Sequence, residues 1–165
     1  MVKIREAERK DCFEILQLIK ELAEYEKEPD AVEASVEVLE ESIFDKKQAK
    51  VVLLEENDTC IGFALYFFNF STWRGKAGLY LEDLYVRPQY RGKGYGKMLL
   101  SYLAKQAVKQ GCPRFEWIVL DWNTPSINFY KAMGAKPLDE WTVFRLENEK
   151  LKDLANEFKK NYPLN

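Results

Sequence analysis

The sequence predicts an α/β fold in a single domain, residues 1–165, with a mixed central sheet flanked by helices. An apolar strand pattern at residues 79–86 leads into a glycine-rich turn that opens a helical pattern, and a second strand pattern at residues 115–121 is again followed by helix signals. Such alternation of strands and helices is typical of α/β domains. A hydrophobic content of 47% over 165 residues is enough for one core, so we expect no second domain.

The amino-terminal half is predicted to contain three strands and two helices. Residues 2–5 read as a strand, and residues 33–44 have helical periodicity. Two further strands, residues 50–55 and 60–70, are separated by the Asn-Asp pair at 57–58, which predicts a hairpin. Between the first strand and the second helix, apolar residues at helical spacing predict one buried helix face made of Phe13, Leu16, Ile19, Leu22 and Ala23.

The carboxy-terminal half continues the alternation. The strand at residues 79–86 ends there because Pro88 cannot continue a sheet ladder, and the helix after it is expected to reach about Gln110. A final strand is expected near residues 141–146, with at least half of its apolar side chains in the core. Residues 147–160 have the pattern of an amphipathic tail helix.

The turn that follows residue 86 has the composition of an anion-binding site. Glycines let a ligand approach the backbone, and the unpaired N–H groups and positive dipole end of a first helical turn favour phosphate oxygens. Neither the dinucleotide fingerprint GxGxxG nor the P-loop motif fits, and what remains is the pattern R-x-x-G-x-G. The residues of this turn and of the helix start are Arg91, Gly92, Lys93, Gly94, Tyr95, Gly96 and Lys97.

A second motif follows the next predicted strand and reads N-x-x-S-x-x-F-Y-x-x-x-G. Asn123 or Thr124 can cap a helix whose first turn accepts Pro125. Gly134 can end that helix in a left-handed conformation. Tyr130 is therefore predicted to lie on a short helix. Taken alone, its Phe-Tyr pair is more typical of core aromatic residues than of a catalytic site.

The two motifs together resemble the GNAT superfamily of N-acetyltransferases, in which Q/R-x-x-G-x-G/A lies between a strand and a helix. Similarity to the diamine acetyltransferase family, which includes spermidine/spermine and thialysine acetyltransferases, extends over residues 4–146. The run at residues 120–123 is closer to the thialysine branch. The segments that carry this similarity are IKELAEYE at 19–26, YLEDLYV at 80–86, QYRG at 89–92 and WNTPSINFYK at 122–131.

The resemblance implies a GNAT fold and the transfer of an acetyl group from acetyl-CoA to a primary amine by direct attack. The pantetheine arm is expected to pair with the backbone of Leu84, Tyr85 and Val86, and the diphosphate to bind the turn at residues 91–97. Tyr130 is expected to contact the cofactor and protonate the departing thiolate. The family contacts from the other wall of the cofactor site correspond to Asn123, Thr124, Pro125 and Ser126.

This reaction needs a proton acceptor, because an alkylamine with a pKa near ~10.4 is almost wholly protonated at neutral pH. The chain contains no histidine, the commonest general base. Glu82, which also meets the substrate, is the first candidate and acts directly or through water. Strand alternation puts Glu82 and Asp83 on opposite faces, so one of them is expected to face the amine. Without the resemblance, acidic residues at this position are more often solvent-exposed residues or structural hydrogen-bond acceptors than catalytic groups.

A diamine or lysine-like substrate carries a second positive charge, which carboxylates are expected to meet. Tyr25 and Glu26 match family positions at the mouth of the substrate site, although the exposed polar end of a helix explains them equally well. Glu140 matches the family's acid before a tryptophan, with Asp139 as the alternative because the loop is shorter here. Asp121 is a further candidate to line the site.

Composition excludes several other classes of function. A net charge of −2, from 25 basic and 27 acidic residues, argues against a nucleic-acid partner. The amino terminus lacks the apolar core of a signal peptide and no run approaches a membrane span, so we expect a cytoplasmic protein. Cys12, Cys60 and Cys112 are too widely separated for a disulfide framework or a zinc site, and we expect no metal. The resemblance further implies a homodimer.

Two other functions stay open. A protein acetyltransferase would need an open groove for a peptide, and a non-catalytic sensor would bind acyl-CoA without turning it over. The joint presence of Glu82, Asn123 and Tyr130 argues against the sensor.

Overall fold

The computed structural model describes the backbone of residues 1–161 and the side chains as far as residue 158. The chain divides into two compact units, Met1–Leu120 and a second unit that begins at Asp121. Residues 162–165, the end of the predicted domain, lie outside the described residues. Across residues 1–161, no helix combines the length and apolar character needed to cross a bilayer.

The first unit contains a five-stranded mixed sheet whose strands lie in chain order. The first four strands pair antiparallel, and the fifth pairs parallel with the fourth. A parallel pair needs a crossover connection, which the helix between the last two strands provides. The strands are β1 (Val2–Glu6), β2 (Lys50–Glu56), β3 (Thr59–Ser71), β4 (Lys76–Val86) and β5 (Phe115–Trp117).

Three helices accompany this sheet and two belong to the second unit. Helix α2 continues as a π-helical segment, Glu40–Asp45, so the predicted single helix at residues 33–44 is in fact short and distorted. The helices are α1 (Cys12–Tyr25), α2 (Val36–Leu39), α3 (Tyr95–Lys109), α4 (Thr124–Ala132) and α5 (Asn148–Asn161).

Helices α1 and α2 cover one face of the sheet. Leu53, Phe63 and Tyr85 lie side by side on β2, β3 and β4 and pack in one core cluster with α1. Alternation turns the intervening strand residues to the other face, and α3 contacts β4 with a buried apolar stripe that includes Leu99 and Leu103. The core is therefore built around β4, the strand that carries the proposed site residues.

Most predicted elements are confirmed, including the hairpin between β2 and β3. Asn57 and Asp58 have φ values of 50° and 61°, as a two-residue turn that matches strand twist requires. The face predicted for α1 is partly wrong, because Phe13 is 63% exposed while Ile15 and Leu18 are buried.

The predicted final strand at residues 141–146 is wrong. In the described part of the chain this segment is assigned to no strand, and Trp141 and Phe144 are 74% and 93% exposed rather than in the core. Alternating apolar residues show only that a segment can pair, whereas a strand also needs a hydrogen-bonding neighbour. The strand predicted at 115–121 is likewise shortened to Phe115–Trp117.

One irregularity in the sheet affects the site directly. Leu65 of β3 pairs with Asp83 of β4, and the next residue, Tyr66, pairs with Leu81. Glu82 is therefore an extra residue in β4, a β-bulge that interrupts the alternation of side chains. Bulges of this kind are common next to active sites because they redirect side chains.

Candidate active site

The glycine-rich turn between β4 and α3 has the geometry of an anion cradle. Gly92 and Gly94 have φ values of 78° and 82°, which glycine adopts without strain, and Gly94 caps the helix. A Cβ atom at Gly92, Gly94 or Gly96 would meet no atom within 4 Å, so the backbone here is open to a ligand. The first N–H groups of α3 have no intrahelical acceptor and lie at the positive end of its dipole.

Two side chains of the turn are held by β2. The Tyr95 hydroxyl donates a hydrogen bond to Glu56, and the Lys93 ammonium lies 3.7 Å from the same carboxylate. The Tyr95 hydrogen bond, followed by the Lys93 charge, lowers the pKa of Glu56. Tyr95 and Lys93 are thus anchored before any ligand arrives, whereas Lys97 is exposed on the first turn of α3.

The edge of β4 that faces β5 is paired over a short stretch. The parallel pairing joins Leu79–Leu81 with Phe115–Trp117 and stops there. Leu84, Tyr85 and Val86 continue β4 beyond this point, and on their other edge they pair with β3. A strand whose neighbour ends early offers backbone N–H and C=O groups to an extended ligand.

Three carboxylates are electrostatically coupled at the bulge. Burial raises the pKa of Asp83 to about 7, and the charges of Glu82 and Glu26 add to the rise. Burial also raises the pKa of Glu26, with a further contribution from Glu82. Glu26 follows α1 directly, so the end of that helix and the bulge of β4 together form an acidic cluster.

The expectation that Glu82 and Asp83 lie on opposite faces of the sheet loses its basis at this point. It assumed an unbroken alternation, and the extra residue at Glu82 breaks that alternation. Asp83 stays in register with Leu65, on the face of the sheet that α1 covers. Glu82 and Asp83 both interact electrostatically with Glu26, and these three residues make up the acidic cluster.

Arg91 makes contacts that its motif did not reveal. Its Nε donates a 2.8 Å hydrogen bond to the carbonyl of Val86, and its guanidinium carbon lies 4.8 Å from the ring centre of Tyr25 and 5.4 Å from that of Tyr85. Tyr25 ends α1 and Tyr85 lies in the core cluster. Local sequence has no signal for these contacts, because they join residues far apart in the chain.

The remaining predicted site residues belong to the second unit. Asn123 caps α4 by accepting a 3.4 Å hydrogen bond from the Ser126 N–H, and Pro125 lies in the first turn, as predicted. Thr124 begins the helix and Tyr130 lies in its last turns, half-buried, with the Phe129 ring 5.7 Å away.

The helix ends as its sequence predicts. Gly134 has a φ of 91°, and its N–H donates to the carbonyl of Lys131. Glu140 and Asp139 lie farther along in an exposed turn, and Asp121 is exposed at the start of the unit.

Comparison with known proteins identifies the family. Residues 10–135 match the model of the Acetyltransferase (GNAT) family. The chain belongs to this family. The GNAT assignment covers β2 to β5 and both motifs on which the sequence resemblance depends, and it confirms the predicted fold and enzyme class, an acetyltransferase.

Individual relatives agree with this assignment. The chain is 42% identical over 166 residues to the thialysine N-epsilon-acetyltransferase of Bos taurus, an alignment that covers 93% of this chain and 97% of the relative. It is 39% identical to the spermidine/spermine N(1)-acetyltransferase-like protein 1 of Homo sapiens, over 93% of this chain and 24% of that protein. The solved integron cassette protein from the mobile metagenome of V. cholerae superimposes with a TM-score of 0.79 at 30% identity, over 93% and 97% of the two chains.

Proposed function

We propose that this GNAT enzyme transfers the acetyl group of acetyl-CoA to a terminal amine of a small cationic substrate, a thialysine-like diamino acid or a polyamine. The observation that carries the proposal is the acidic cluster of Glu26, Glu82 and Asp83 at the bulge of β4. Clustered carboxylates attract cations and repel acidic ligands. The names of the relatives, which act on thialysine or are like spermidine/spermine acetyltransferases, support the same class of substrate.

The residues present fit acetyl-CoA. The open glycine backbone and helix start at residues 91–97, with the charges of Lys93 and Lys97, suit a diphosphate. The β4 backbone at Leu84, Tyr85 and Val86 suits an extended pantetheine arm. When bound, acetyl-CoA supplies the acetyl group as an activated thioester. Asn123, Thr124, Pro125 and Ser126, in the second unit, are assigned to the cofactor because the family resemblance implies it.

Proton movement is assigned to two side chains. Glu82 accepts the proton of the substrate ammonium, directly or through water, and its position at the bulge leaves it exposed for this role. Tyr130 Oη donates a proton to the leaving sulfur atom. The two groups thus act on opposite ends of the transfer, and neither step needs a histidine.

Substrate selection is assigned to Tyr25 and Glu26, at the end of α1, and to Glu140. Glu26 supports this role through its coupling to Glu82, because a second cation there would relieve the repulsion between the carboxylates. The exposed turn at Glu140 leaves Asp139 as the alternative acid.

The decisive experiment is an amine panel. Purified protein with acetyl-CoA is offered thialysine, lysine, ornithine, putrescine, spermidine and a lysine-containing peptide, and products are read by mass spectrometry. Acetylation of the small amines with little on the peptide supports the proposal. Preference for the peptide would favour a protein acetyltransferase, and coenzyme A binding with no product would favour a sensor.

We also propose that the chain forms one domain and assembles as a homodimer. The family match at residues 10–135 runs through both compact units, which supports a single domain. Exposed apolar side chains at Trp141, Val143 and Phe144 support a partner surface in the second unit. Light scattering after size-exclusion chromatography distinguishes the mass of one chain from that of two.

A further inference from the structure

Arg91 lies in the motif expected to bind the diphosphate, yet its side chain contacts the mouth of the proposed amine site. We infer that Arg91 is a positioning residue for the amine: its guanidinium fixes Tyr25 at the end of α1 and links the diphosphate turn to the amine site. This inference rests on the proposed function, because it assigns a role within the same site.

Three contacts define where the guanidinium lies. Nε donates to the Val86 carbonyl at 2.8 Å, and the guanidinium carbon is 4.8 Å from the Tyr25 ring centre and 5.4 Å from the Tyr85 ring centre. Both ring distances are within the range of cation–π attraction. Arginine is suited to this arrangement because a planar guanidinium can stack on rings while its edge donates a hydrogen bond. The side chain thus joins the end of β4 to the last residue of α1.

A second arginine provides a useful comparison. Arg87 also joins β4 to α1, with nitrogen–oxygen distances of 2.8 Å to Glu14 and 2.9 Å to Glu21, and it donates to the Cys60 carbonyl at 2.7 Å. These bonds hold the body of the helix to the sheet. Arg91 instead contacts the ring of Tyr25, the last residue of the helix. It therefore positions the end of α1 rather than the helix as a whole.

The end of α1 matters because Glu26 follows Tyr25 directly. Glu26 is coupled to Glu82, the proposed proton acceptor, so a shift of Tyr25 changes the acidic cluster that receives the amine. Arg91 is at the same time the neighbour of Gly92 in the diphosphate turn. A single residue therefore connects the two proposed ligand sites, and by thermodynamic linkage any effect of one ligand on the affinity for the other is reciprocal.

The test is a double-mutant cycle read as separate KM values. Wild type, Arg91→Gln, Tyr25→Leu and the double variant are assayed with one amine from the panel, varying the amine and acetyl-CoA in turn. Arg91→Lys is included because it keeps the positive charge but lacks the planar face and Nε. Lys97→Gln serves as a cofactor-side variant, and Arg74→Gln, in the distant turn between β3 and β4, serves as the matched arginine control.

We expect Arg91→Gln, Arg91→Lys and Tyr25→Leu each to raise the amine KM about 3- to 10-fold, the size of one cation–π contact. The double variant should be no worse than the poorer single variant. Lys97→Gln should raise the acetyl-CoA KM instead, and Arg74→Gln should change neither. Urea unfolding of the four proteins of the cycle reports the Arg91–Tyr25 coupling independently of turnover.

Additive effects in the cycle, or an increase confined to the acetyl-CoA KM, would overturn the inference. A normal amine KM in Arg91→Lys would also overturn it, since a positive charge without the planar guanidinium would then be enough to position Tyr25. A wild-type protein inactive on every amine would refute the proposed function, and the wild-type rate therefore tells the two failures apart.

Discussion

Asp83 is a carboxylic acid that holds its proton at unusually high pH. Burial is the main cause, and the charges of Glu82 and Glu26 add to it, so the pKa of about 7 lies far above the ordinary aspartate value of 3.8. Because the folded-state pKa is raised, the folded protein keeps a proton that the unfolded chain releases between about pH 4 and 7. The contribution of Asp83 to stability is therefore fully present below about pH 4 and is lost as the pH rises to 7.

Asp83→Asn should remove this pH dependence. The variant is expected to gain stability relative to wild type as the pH rises from 4 to 8, by up to about 3 to 4 kcal/mol. Urea unfolding at pH 4 and pH 8 measures the difference. Asp58→Asn is the matched control, because the hydrogen bond from Lys3 lowers the pKa of that exposed carboxyl. The contribution of Asp58 to stability is therefore already present above about pH 4, and this variant should show no comparable change between pH 4 and 8. Parallel curves for wild type and Asp83→Asn would contradict the assignment.

Tyr130 provides a prediction about chemistry rather than stability. Removal of its hydroxyl in Tyr130→Phe should lower kcat about 100-fold or more, since a general acid typically contributes that much. The acetyl-CoA KM should stay close to the wild-type value because the ring is retained. Steady-state kinetics test this, with Tyr102→Phe on α3 as the control for loss of a phenol elsewhere. A normal kcat in Tyr130→Phe would remove it as the proton donor.

Strands β3 and β4 approach each other closely at residues 84–86, the segment of β4 proposed to bind the cofactor. A Cβ atom at Gly62 would be 2.5 Å from the Tyr85 carbonyl oxygen and 3.3 Å from the Val86 Cα. Both atoms belong to the backbone and cannot move aside as a flexible side chain would. Glycine at this position therefore allows residues 84–86 of β4 to lie this close to β3.

Gly62→Ala should displace this part of β4. We expect a loss of about 1 to 3 kcal/mol in the free energy of unfolding, the usual cost of overpacking, together with weaker coenzyme A binding. Urea unfolding and titration calorimetry measure the two effects. Gly96→Ala is the stability control, because its Cβ would meet nothing within 4 Å. Equal stability of Gly62→Ala and wild type would show that the strands adjust freely.

The regular elements were predictable because their causes are local. Periodicity identified β1 to β4, α1 and α3, and turn chemistry identified the hairpin at Asn57 and Asp58 and the glycine-rich start of α3. The failures have non-local causes. The bulge at Glu82 depends on the register with β3, and the missing strand at 141–146 depends on a neighbour that alternation cannot reveal.

The local geometry of the candidate site was predictable to a similar extent. The cradle at residues 91–97 follows from local glycines and charges, and the cap of α4 at Asn123 follows from its own motif. The contact of Arg91 with Tyr25 and the coupling of Glu26 with Asp83 were not predictable, because each joins segments that are brought together only by folding.

Coenzyme A should stabilise the folded protein, since a ligand that binds only the folded state shifts the unfolding equilibrium. At about 100 times its Kd the gain is about 2.7 kcal/mol, which corresponds to a rise in Tm of roughly 5 to 10 °C. Differential scanning fluorimetry with coenzyme A measures the shift. Pantetheine, which lacks the diphosphate, is the control and should give a smaller rise in Tm. An unchanged Tm with no heat in calorimetry would refute the cofactor assignment.

The bulge in β4 has a consequence for how this enzyme can change. If residue 82 were deleted, Leu81 and Asp83 would continue the ladder opposite Tyr66 and Leu65 in ordinary alternation, and both faces of the sheet would keep their packing. The proposed base thus occupies a surplus position that the architecture does not use. Selection for a new substrate can therefore vary residue 82 with little penalty to folding, a freedom that neighbouring core positions lack.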